Sequence, residues 1–61
     1  MSIAPITMYI QFYQDAIGQT YRGEAHPNRH GASWERYHVT QGFPDDRPAF
    51  LVRVKLKDGS D

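Results

Sequence analysis

The sequence has no cysteine among its 61 residues, which excludes a disulfide framework and any thiolate metal site. It has no apolar run of the roughly 18 residues that a membrane-spanning helix needs. It also lacks an excess of either charge, because seven Lys and Arg offset seven Asp and Glu and the pI is near 6.8. A dedicated DNA-binding domain carries a basic surplus and a DNA mimic an acidic one, so bulk electrostatics points to neither. The segment Met1 to Pro5 has no basic n-region and no apolar stretch of the secretory kind, so the expected location is the cytoplasm.

Catalytic signatures are missing too. No G-x-S-x-G elbow, G-x-G-x-x-G turn or GK[ST] loop occurs among the scattered glycines, and no motif implies a cofactor. Ser33 has histidines nearby in sequence, but a triad is defined by geometry rather than by proximity along the chain. A chain this short seldom forms a cleft that excludes water, so the expectation is a non-catalytic protein.

Aromatic side chains, by contrast, are plentiful: four Tyr, three Phe and one Trp. They argue against disorder. The length allows one domain, 1–61, with 1–4 and 58–61 expected to fray. A domain of this size buries only about 60% of the surface of its unfolded chain, and it usually needs a staple or a partner.

Two segments read clearly. From Ile6 to Tyr13, the apolar Ile6, Met8, Ile10 and Phe12 alternate with Thr7, Tyr9, Gln11 and Tyr13, which is the period of a half-buried strand. From Phe50 to Lys57, Phe50, Val52, Val54 and Leu56 take one face while Leu51, Arg53, Lys55 and Lys57 take the other. A turn around Asp15 to Gly18 leads to a weaker strand at Gln19 to Ala25. His26 to Gly31 and Gly42 to Pro48 carry the Pro, Asn and Gly of loops. Ser33 to Gln41 admits two readings. As a helix it has Ser33 as N-cap and Gly42 as the stop. As a strand it has the aromatic and β-branched content that sheets favour, and the strand is the preferred reading. The expected fold is therefore mostly antiparallel β, a single-layer sheet or meander, with a ββαβ arrangement carrying one short helix near 33–41 as the alternative. The expected core is Ile6, Met8, Ile10, Phe12, Val39, Phe50, Val52, Val54 and Leu56, joined by Trp34.

Two constellations bear on function. His26, His30 and His38 lie close in sequence with Glu24 and Glu35, and imidazole with carboxylate is a zinc donor set. The spacing is not HExxH, and Pro27 with Gly31 speaks against a helix at 26–30, so a solvated polar loop is the preferred reading over a His-ligated metal domain. The second is the outer face of the two clear strands. If they are neighbours, Tyr9 and Tyr13 stand beside Arg53 and Lys55, with Tyr21 and Arg36 as extensions. Tyr and Arg are enriched at interface hot spots. The leading expectation is thus a small protein-binding module, an inhibitor or adaptor of a larger protein assembly or a homodimer, using Tyr9, Tyr13, Tyr21, Arg36, Arg53 and Lys55. The same residues suit single-stranded nucleic acid, where aromatics stack on bases and cations follow phosphates.

Overall fold

A computed structural model describes residues 6–56. The expected frayed ends, the side chain of Leu56 and Lys57 lie outside the described residues. The elements run β1 (Ile6–Gln14), β2 (Thr20–His26), α1 (Arg29–Gly42) and β3 (Arg47–Leu56). The three strands form one antiparallel sheet in the order β2-β1-β3. This is the ββαβ alternative, and the four-stranded meander is not formed.

The first and last strands are neighbours, in a register that matches their alternation. Met8 pairs with Val54, Ile10 with Val52 and Phe12 with Phe50, so the apolar side chains of both strands share one face. Each junction with β1 carries a bulge. On β2, Gly23 and Glu24 fall between the pairs Ile10–Ala25 and Phe12–Arg22. On β3, Ala49 falls between the pairs Phe12–Phe50 and Tyr13–Pro48. Pro48 lies in an edge strand beside a bulge, a place that tolerates its missing N–H.

The segment expected as a strand at 33–41 is helical, and the helix starts earlier, at Arg29. Its N-cap is Asn28 rather than Ser33: Asn28 Oδ1 accepts the N–H of Gly31 at 2.9 Å, satisfying one of the donors a helix start leaves free. Pro27 precedes the cap and does not interfere, and Gly31 is tolerated in the first turn. At the other end the Phe43 N–H donates to the Val39 carbonyl at 2.8 Å.

The core differs from the expectation in a specific way. The buried residues among those described are Tyr13, Gln11 and Ala32. Trp34 is 63% exposed, Phe50 52% and Ile6 49%, while Met8, Ile10, Phe12, Val39, Val52 and Val54 are half-buried. The helix lies on the face of Tyr9, Gln11 and Tyr13, and the apolar face stands open. The helix offers an explanation. Ala32, Glu35 and Arg36 meet the sheet, a small and polar set that matches tyrosine and glutamine rather than isoleucine and valine.

Two glycines separate backbone demand from empty space. Gly18 closes the β1–β2 turn with φ of 89°, a region costly for other residues. Gly42 is helical and a Cβ there would meet nothing within 4 Å. Gly18→Ala is expected to lower stability by about 1 kcal/mol or more, and Gly42→Ala to raise it by about 0.4–1 kcal/mol. Urea unfolding of the two variants beside the parent chain checks both signs.

Candidate functional site

The densest cluster of chemical groups is the seam between α1 and the sheet. Its centre is Glu35, one turn and a half into the helix. Tyr13 donates its hydroxyl to Glu35 Oε2 at 2.5 Å. The Glu24 N–H donates to Oε1 at 2.9 Å, and His26 Nε2 lies 2.7 Å from the same oxygen. The bulge on β2 makes this possible. It frees the Glu24 N–H from the ladder, and Gly23 leaves room for the carboxylate, since a Cβ at Gly23 would stand 2.0 Å from Oε2. The close approach of helix and strand is repeated at Gly31, where a Cβ would lie 2.9 Å from the His26 ring.

Gln11 forms the second half of the seam. Its Nε2 donates to the carbonyls of Phe12 and Phe50, each at 3.0 Å, and its Oε1 accepts from Arg36 at 3.1 Å. Among the described residues no buried side-chain nitrogen or oxygen lacks a partner. Tyr13 also stacks on Tyr21, with ring centroids 5.3 Å apart, and Tyr21 gives its hydroxyl to Asp46.

These contacts move proton affinities. Burial, then the bond to the Glu35 carboxylate, pushes the Tyr13 hydroxyl far above the usual tyrosine value. The bond to Asp46, with some burial, raises Tyr21 to about 12. For Glu35 burial alone acts upward, but the donors Tyr13, His26 and Glu24 outweigh it and hold the carboxyl below its usual range. The cluster is therefore a carboxylate with its donors already in place. It reads as a joint between helix and sheet.

The sequence-derived candidates are placed as follows. Tyr9 and Arg53 are cross-strand partners, and Tyr13 pairs with Tyr21, so Tyr9, Tyr13, Tyr21, Arg53 and Lys55 do share a sheet face. The helix lies over that face. Tyr13 is fully buried, Tyr9 has the Arg29 guanidinium 5.8 Å from its ring centroid, and Arg36 reaches down from the helix to Gln11. Arg53 and Lys55 remain exposed. His26 belongs to the joint, while His38 lies against Trp34 and Tyr37, with centroids at 3.9 and 5.3 Å. Among the described residues no three His, Asp or Glu side chains are grouped so as to hold a metal ion. No described helix is long and apolar enough to cross a membrane.

Sequence reasoning missed Glu35 as the organising group. It also placed Trp34 in the core, whereas Trp34 and Tyr37 are 63% and 61% exposed on the outer side of α1. An open groove lies nearby, lined by Asp15, Ile17, Phe43 and Asp46 among others. Its Asp15 carboxylate already accepts the N–H groups of Ile17 and Gln19, and Asp46 holds Tyr21.

Glu35 adds stability above about pH 4.5, its ordinary value, and that contribution is lost as pH falls through its lower folded value. Glu35→Gln is expected to cost about 1–3 kcal/mol near pH 7, because Tyr13 and the Glu24 N–H lose a charged acceptor. The gap to the parent chain should narrow as pH falls from 7 toward about 3, because the parent's carboxylate contribution shrinks below the ordinary value and is lost through the lower folded one. Urea unfolding at the two pH values reads it, and an unchanged gap would refute the role given to the carboxylate.

Set beside known proteins, the chain has no significant match: no family model, no curated protein and no solved structure aligns with it.

Proposed function

We propose that this chain is a non-catalytic, cytoplasmic protein-binding module, an inhibitor or adaptor that docks on a larger protein through the outer side of α1. The observation that carries the reading is the exposed pair Trp34 and Tyr37, with His38 held against both rings. An aromatic cluster on a rigid helix is a preorganised anchor. It offers large contact area with little side-chain entropy left to lose, and Trp and Tyr are the types that dominate binding energy at interfaces. Phe43, 63% exposed at the helix exit, lines the groove together with Ile17. The titratable groups of the seam are engaged with one another, which favours a binding role over an acid–base one.

The test is an affinity capture from native lysate with the parent chain and a Trp34→Ala/Tyr37→Ala variant, at low and high salt, with and without nuclease. A discrete protein held by the parent at high salt after nuclease, and lost by the variant, is the expected result. The variant should melt close to the parent, since exposed positions change stability by only about 0.5 kcal/mol. Recovery that vanishes with nuclease or salt would replace the reading with nucleic-acid binding, whose phosphate contacts weaken steeply with salt.

A further inference from the structure

The two edges of the sheet are not alike. β2 is seven residues long, is interrupted by the bulge at Gly23 and Glu24, and has its Glu24 N–H taken by Glu35 of the helix. β3 is ten residues long, and among the described residues nothing pairs with its outer side. Pro48 and the bulge at Ala49 blunt one end of it. Residues 50–56 remain as a regular strand, and every second N–H and C=O along such an edge points away from the sheet. That is the length of backbone an added strand uses.

The side chains specify which kind of strand fits. β3 carries Arg47, Arg53 and Lys55 and no carboxylate. Arg53 and Lys55 are exposed, and their neighbours across on β1 are Tyr9 and Thr7. The Arg29 guanidinium lies over the Tyr9 ring on the same side of the sheet. Among the described residues the one ion pair is His26 with Glu35, so none of these cations has a carboxylate partner there. On the other face of the edge, Val52 and Val54 are half-buried and Phe50 is 52% exposed. We propose that the outer edge of β3 takes an extended segment of an acidic partner protein as a fourth strand. Asp or Glu at alternate positions of that segment face Arg53 and Lys55, and apolar side chains between them lie beside Val52 and Val54. Backbone pairing then supplies the affinity and the alternate side chains the selection. Opposite charges directly across two strands attract, and like charges oppose. A second copy of this edge would bring further cations and no carboxylate, so Arg53 and Lys55 keep out self-pairing while admitting an acidic strand. The phosphates of a nucleic acid would meet the cations but leave the row of backbone groups and the valines unmatched. The proposal does not rest on the docking role given to Trp34 and Tyr37.

The test is a titration of the isotope-labelled chain with synthetic peptides of about seven residues, read from amide chemical shifts. One peptide alternates Val with Glu, a second alternates Val with Lys, and a third is the Glu peptide with its backbone nitrogens methylated. The Glu peptide is expected to shift the amides of residues 50–55 at up to about 1 mM. The Lys peptide should bind about tenfold more weakly, and the methylated peptide should leave β3 unmoved. In an Arg53→Glu/Lys55→Glu variant the preference should reverse toward the Lys peptide. Should that variant unfold, the parent's choice between the peptides still decides. Unmoved β3 amides with the Glu peptide, equal binding of the Glu and Lys peptides, or shifts confined to α1 overturn the proposal. Shifts of the same amides by an oligothymidylate, with none by the Glu peptide, overturn it in favour of single-stranded nucleic acid.

Discussion

Three elements meet on the carboxylate of Glu35, and the side of the sheet that the helix covers follows from that meeting. The carboxylate takes donors from Tyr13 on the central strand and from Glu24 and His26 on β2. Bonds to a charged acceptor are each worth about 1.5–3 kcal/mol, and a buried acceptor without them costs more than it gives. The helix is therefore tied to the polar face by groups that have no equivalent on the apolar one. Gly23 and the β2 bulge are the local means: one removes a Cβ, the other frees an N–H.

Once the helix is held there, the rest of the surface is determined. Its aromatic side, with Trp34, Tyr37 and His38, turns to solvent. The apolar face of β1 and β3 is left uncovered. A single layer of helix on a three-stranded sheet cannot cover both faces. The molecule thus shows its large apolar side chains on two sides while its interior is built from a tyrosine, a glutamine and an alanine. Both proposed contacts, one through the helix and one through the outer edge of β3, use surface that the internal packing leaves free.

Much of the frame was legible in the sequence. Period-two alternation located β1 and β3 to within a few residues and grouped Ile10 with Phe12 and Val52 with Phe50 on one face of each strand, while the pairing of the two strands came from the structure. Glycine and aspartate marked the β1–β2 turn. Alternation states that a strand has two faces, however, and not which one a third element will cover. Hydrophobicity alone assigned the core to the wrong face, because the deciding contacts are polar and join residues as far apart in sequence as Tyr13 and Glu35. The helix start was hidden for a similar reason. Pro27 and Gly31 read as loop residues, yet Asn28 between them is a good N-cap. Two of the three histidines that lay close in sequence serve different neighbours, His26 the seam and His38 the aromatic cluster.

The most direct check is a nuclear Overhauser spectrum of the labelled protein in solution, recorded between helix and strand protons. The arrangement predicts cross-peaks from the Gly31 α-protons to the His26 β-protons and from the Glu35 side chain to the Tyr13 ring, with none from α1 to the methyl groups of Ile10 or Val52. Cross-peaks from α1 to Ile10 and Val52 would place the helix on the apolar face and contradict the account.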